Sequence, residues 1–280
     1  MVTQADKMAL QTLTIHTVDD ISWYCERQGS GPDLILVPSG EGDCSSFART
    51  AAILSSSFTV TTFDMPGMSR TRAPRHCYQD VTAPLLADQI VRLMDKLSIT
   101  AATFFGSSSG GAAVLAISSN HPRRILRAVV HEIPMGTFSQ MSNLISLPDD
   151  ELIQTCQRIF ATVMNEDTSA WDDLGPEYHA RLEKNFPIWA RNYIETFAPS
   201  LDAVSKSLKG KPITWTVGAL TPVGSVLPNI KAAYQSDIDI GLLPCKHFPH
   251  VSIPDRLADH IREAAIPVQQ LWQLFQNDSV

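Results

Sequence analysis

Residues 101–119 read AATFFGSSSGGAAVLAISS. The apolar run Ala101 to Phe105 predicts a buried strand, and the small-residue stretch from about Gly111 to Ser119 predicts a helix. Between them stands Gly106-Ser107-Ser108-Ser109-Gly110, a G-x-S-x-G. A strand that turns directly into a helix leaves no room for side chains two positions either side of the apex, which is why glycines flank Ser108. The apex serine takes a strained backbone conformation, and the amide of Ser109 lies at a helix start where developing negative charge is stabilised. Ser108 is the candidate nucleophile. Ser107 and Ser109 lack glycines on both sides at that spacing, so their side chains are read as structural.

Outward from this turn the pattern alternates. Leu13 to His16 and Ile21 to Glu26 predict a hairpin about Asp19-Asp20. Strands are predicted at Leu34 to Val37, Phe58 to Phe63 and Leu126 to Val130, with helices near Cys44 to Leu54 and around Ile90, Leu93, Met94 and Leu97. Alternating β and α with near-continuous apolar strands indicates a mostly parallel sheet. From about Pro134 to Lys209 strand signals vanish and helical ones replace them, as in Asp149 to Met164 and Glu177 to Asn185. Strands resume at Ile213 to Val217 and Ile238 to Leu243, followed by a helix bearing Leu257, Ile261, Ala264 and Ala265. The expected organisation is an α/β core of residues 1–133 and 210–280, with residues 134–209 inserted as a helical cap.

Composition narrows the function. The chain has 280 residues, 44% of them hydrophobic, and a formal net charge of −7, so no basic field exists to gather nucleic acid. Five scattered cysteines without a C-x-x-C pair suit reduced thiols rather than a disulfide framework or a zinc ribbon. Neither an apolar leader nor a run long enough to cross a bilayer is apparent, which predicts a cytoplasmic protein without a membrane partner. His131-Glu132 begins like H-E-x-x-H, but Met135 stands where the second histidine should be, and no metal or cofactor is expected.

A serine needs a base. The loop after the last strand offers His247, with His250 as its competitor three residues on, beyond a proline. The acid that orients such a base commonly follows the strand after the cap, yet there the sequence reads Gly218-Ala219-Leu220-Thr221-Pro222, without a carboxylate. Glu132, ending the strand before the cap, is the candidate acid, and Asp237 and Asp239 are weaker rivals because they precede the last strand. The Ser39-Gly40-Glu41-Gly42 loop follows an early strand, making the amides of Gly40 and Ser109 the candidate oxyanion donors.

These residues together resemble the fungal zearalenone lactonases, hydrolases of resorcylic acid macrolactones with an α/β-hydrolase fold. The matching stretches are Ile21 to Tyr24, Gly40 to Gly42, Val60 to Arg70, the serine turn, His131-Glu132, Phe186 to Arg191, Trp215 to Ala219 and Gly241 to Val251. The resemblance implies a cofactor-free Ser-His-Glu triad, in which the acid is a glutamate after this same strand. It also implies a small-molecule macrolactone substrate, a homodimer, and loss of carbon dioxide from the ring-opened acid. Val163, Trp189 and Tyr193 in the cap correspond to its substrate contacts, and Phe248, beside the base, joins them as a substrate-binding candidate. The sequence departs from the family pattern at Ser39, Ser107, Lys246 and His250, where Asp, Cys, Met and Tyr are usual. Two alternatives stay open: a carboxylesterase acting on a different ester, and a receptor that binds without turnover.

Overall fold

The computed structural model describes residues 9–135, 141–199 and 206–265. Eight strands form one sheet: β1 (Gln11–His16), β2 (Ser22–Gln28), β3 (Asp33–Val37), β4 (Thr59–Phe63), β5 (Ala102–Ser107), β6 (Ile125–His131), β7 (Ile213–Gly218) and β8 (Ile240–Leu243). Their spatial order is β1-β2-β4-β3-β5-β6-β7-β8. The joins β1–β2 and β2–β4 are antiparallel and the rest parallel. Burial explains the difference in sequence texture. β5 is buried at every position because helices cover both its faces, whereas edge strand β1 alternates exposed and half-buried residues. The hairpin turn places Asp20 at φ +61°.

Apolar packing divides along the sheet. One cluster joins Ile35, Phe104, Val130 and Trp215 of the sheet to Leu86, Ile90 and Met94 of the helix Ala83–Lys96. On the opposite face Leu34, Leu36, Phe105 and Val129 pack against Leu257 and Ile261 of the helix Pro254–Ala265.

Strands stop at His131 and resume at Ile213. The described residues between them form the helices Asp149–Arg158, Thr168–Asp172 and Pro176–Asn192 and no strand. Leu152, Phe160, Leu182, Phe186 and Trp189 from this stretch belong to the same apolar cluster as the sheet, so the helical stretch and the sheet share one interior. Three helices differ from their expected spans. The first ends at Arg158 and continues as a π-helical turn, Ile159–Val163, closed by Met164 N–H donating to the Ile159 carbonyl. The third runs through Pro187 to Asn192, because buried Phe186, Trp189 and Ala190 hold it against the core despite the missing proline donor. The third departure, the helix after β5, begins at Ser108 itself rather than Gly111, so the candidate nucleophile is its first residue.

Candidate active site

All parallel strands point their carboxyl ends the same way, and the candidate residues collect along that edge. Ser108 follows β5 at φ +50°, a left-handed conformation that non-glycine residues rarely adopt. The glycines around it are sterically required. A Cβ on Gly106 would lie 2.6 Å from the Gly110 carbonyl carbon, and one on Gly110 would lie 2.3 Å from the Val37 carbonyl oxygen. The helix Ser108–Asn120 is thereby pressed against β5 and β3, with its first turn facing the cleft.

Glu132 follows β6, also in the left-handed region at φ +42°, and is 5% exposed. Its Oε2 lies 2.7 Å from His247 Nδ1, and its Oε1 accepts the Gly218 N–H at 2.8 Å. Gly218 ends β7, so the strand that offers no carboxylate supplies instead an amide that holds the carboxylate following the neighbouring strand. A side chain on Gly218 would collide with the Cys245 carbonyl at 2.4 Å, which keeps the base loop close to the sheet. Burial pushes the Glu132 carboxyl up, but the hydrogen bond and charge of His247, with His131 adding to them, outweigh burial and hold it down at about 2. Glu132 is therefore an ionised acceptor at neutral pH, and the tautomer in which His247 Nδ1–H donates to it leaves Nε2 as the unprotonated ring nitrogen.

His131 occupies the last position of β6. It is fully buried, with Nδ1 2.9 Å from Thr216 Oγ1 and Nε2 3.1 Å from the Lys246 carbonyl oxygen. Burial pushes its imidazole down to about 4, so it is neutral and works as a brace between β7 and the base loop. The competitor His250 is buried elsewhere. Its ring packs on Phe47 and approaches the buried Glu41, with Nε2 3.6 Å from Oε1, away from Glu132. Asp237 pairs with Lys209 in an exposed salt bridge.

Ser108, Ser109 and His247 line a cleft of about 430 Å³, mouth included, whose walls are mainly apolar. Trp189 and Tyr193 line it, together with Met141, Met164, Ile194 and Phe197, which the sequence did not single out. Gly40, after β3, lies against the Trp189 indole so closely that a Cβ there would fall 2.3 Å from Nε1. Two expected pocket residues lie elsewhere. Val163 is 57% exposed on the π-helical turn, and Phe248 is buried in an aromatic stack with Phe160 and Trp171 behind the base. The extra residue of the π turn shifts the helical register, and the side chain that reaches the cleft is the neighbouring Met164.

The helix Pro176–Asn192 is tied to the strand-end loops by polar groups. Arg181 Nε donates to Asp43 Oδ2 at 2.5 Å, and Arg70 bridges Asp43 and Asp64. Burial raises the Asp43 carboxyl, but the Arg181 hydrogen bond and the Arg70 charge more than reverse it and leave it below the usual carboxylate range. Buried Asn185 donates to the Glu41 carbonyl at 2.7 Å and accepts the Ser69 N–H at 2.8 Å, fixing the loop that carries Gly40.

The comparisons with known proteins bear on the family and the fold. A family model described as the alpha/beta hydrolase fold matches residues 32–173. The chain is 45% identical over 257 residues to a zearalenone hydrolase of Bionectria ochroleuca, covering 89% of this chain and 96% of that protein. It is 42% identical to a zearalenone hydrolase of Cladophialophora bantiana, covering 89% and 95%. Among solved structures, the enol-lactonase from Burkholderia xenovorans superposes with a TM-score of 0.68 at 18% identity, covering 91% of this chain and 99% of that one, a likeness of fold. With a serine-bearing strand-to-helix turn, a Glu132–His247 pair on one sheet edge and relatives matched over nearly their full length, the chain belongs to the zearalenone hydrolase family of α/β-hydrolase enzymes.

Proposed function

We propose that this enzyme opens the macrocyclic lactone ester of zearalenone-type resorcylic acid lactones through a Ser108–His247–Glu132 triad and an acyl-enzyme. The observation that carries the reading is the 2.7 Å contact of Glu132 with His247 Nδ1, in a cleft that His247 shares with Ser108. Ser108 Oγ attacks the lactone carbonyl as His247 Nε2 takes its proton, and Glu132 stabilises the imidazolium. The amides of Gly40 and Ser109 hold the oxyanion. Collapse of the tetrahedral intermediate breaks the ring C–O bond, and His247 returns the proton to the alkoxide, which stays tethered as the far end of the acyl chain. Water, deprotonated by the same imidazole, then frees the hydroxy acid and restores Ser108.

The apolar walls formed by Met141, Met164, Ile194 and Phe197 suit a large hydrophobic ring better than a short acyclic ester. Trp189 and Tyr193 are the substrate-contacting side chains in this reading, and residues 134–209 act as the cap over them. Incubation of the purified protein with zearalenone, followed by mass detection of the ring-opened product, tests the reading with Ser108→Ala alongside. Product from the wild type and none from the variant is expected. Faster turnover of short acyclic esters than of macrolactones would favour a carboxylesterase instead.

A further inference from the structure

The base loop is a tripeptide, Cys245-Lys246-His247, whose three N–H donors and first two carbonyls each have a partner. Cys245 N–H donates to the Leu243 carbonyl at 2.8 Å, and the Cys245 carbonyl accepts from Leu220 N–H at 3.0 Å. The Lys246 carbonyl lies 3.1 Å from His131 Nε2. These contacts all come from the core. The remaining two donors, Lys246 N–H and His247 N–H, go to the cap. Glu166 Oε2 accepts from Lys246 N at 2.7 Å, and the Met164 carbonyl accepts from His247 N at 2.9 Å. Lys246 Nζ adds a clasp on the same segment by donating to the Thr162 carbonyl at 3.0 Å.

From this arrangement we infer that Glu166 is a positioning residue for the base: it fixes the peptide immediately before His247, so that Nε2 meets Ser108 at the angle proton transfer requires. The inference rests on the reading of His247 as the base. Three observations support it. Glu166 Oε2 supplies the side-chain oxygen that accepts Lys246 N–H at 2.7 Å, and a backbone donor left without its acceptor costs more than the bond itself contributes. Among the described residues Glu166 Oε1 is buried without a hydrogen-bond partner, so the residue carries a desolvation cost that solvent exposure would remove, and the bond its carboxylate does make there is to the base loop. The contact also spans the seam between cap and core. Met164, two residues before Glu166, both lines the cleft and holds His247 N–H, so a substrate touching Met164 presses on the segment that aims the base.

The test uses Ser108 labelling by a fluorophosphonate, which needs the base but no particular ester substrate. Glu166→Gln keeps an oxygen acceptor, Glu166→Met keeps length and packing without one, and Glu166→Ala removes both. Labelling should slow about 10- to 100-fold in the Met and Ala variants, the scale of a displaced catalytic group, and stay at the wild-type rate in Glu166→Gln. Thermal melts on the same samples verify that each variant is folded, and the Met variant covers the case in which the Ala variant is not. Wild-type labelling in the Met and Ala variants, or a Gln variant as slow as Met, overturns the inference. His247→Ala separates the two levels: fast labelling there would remove His247 as the base, whereas slow labelling there with unaffected Glu166 variants would remove only the role of Glu166.

Discussion

Two buried carboxylates follow parallel strands at the same edge of the sheet and are treated alike by their surroundings, yet they face different partners. Glu132 faces His247, and Asp43 faces Arg181 and Arg70. Burial alone would push both carboxyls up, and in both cases the partner reverses it, to about 2 for Glu132 and below the usual range for Asp43. The partners differ in one property. An imidazole gains and loses its proton near neutral pH, whereas a guanidinium keeps its charge throughout. In the proposed triad Glu132 stabilises a charge that comes and goes during the reaction, whereas Asp43 ties Arg181 of the helix Pro176–Asn192 to the strand-end loops through a charge that never changes. A depressed carboxylate is thus not by itself the mark of a catalytic acid; the chemistry is decided by what it faces.

Replacing each partner set should break the two carboxylates in opposite ways. His247→Ala should lower turnover by about 10⁶-fold, the scale of losing a triad base, and shift the melting temperature less than loss of the Asp43 pairing does. Steady-state turnover and a thermal melt on the same sample check both halves, and a large loss of stability with modest loss of turnover would invert the comparison. The smaller effect is on stability. Asp43→Asn should cost about 2 to 3 kcal/mol, the low end for a buried pair because both arginines remain partly in water, and lower the melting temperature by about 5 °C. Turnover should stay of the same order as wild type. Because the Asp43 carboxyl is depressed in the folded chain, its contribution is full above the ordinary carboxylate range and is lost as pH falls below it. Melts taken along a descending pH series should therefore show wild type and Asp43→Asn converging in acid; a gap that widens instead would mean that the pair does not stabilise the fold.

Much of this was legible in the sequence because it depends on short-range chemistry. The run Leu34 to Val37 and the glycines about Ser108 carry their own burial and steric demands, so the buried strands and the strand-to-helix turn at Ser108 follow from local pattern. The expectation of Glu132 came from elimination, since Gly218 to Pro222 offers no carboxylate, and the short Glu132–His247 contact agrees with it. What was not legible depends on register and distance. A π turn that inserts one residue exposes Val163 and brings Met164 to the cleft, and no periodicity announces such a turn. Phe248 reads as a pocket residue by its place next to His247, yet Phe160 and Trp171, from the cap, draw it into the interior. Glu166 contacts a backbone donor 80 positions away, a pairing without a sequence signature.

The proposed triad depends most on Glu132, at the end of β6, serving as its acid. Turnover of zearalenone at saturating concentration by wild type and by Glu132→Gln, with substrate binding followed by quenching of tryptophan fluorescence, tests it directly. The amide keeps the shape but not the charge that balances depressed Glu132 against His247, so turnover should fall about 10³- to 10⁴-fold while the dissociation constant stays near its wild-type value. Wild-type-like turnover in Glu132→Gln would contradict the account and return the search for the acid to Asp237 and Asp239.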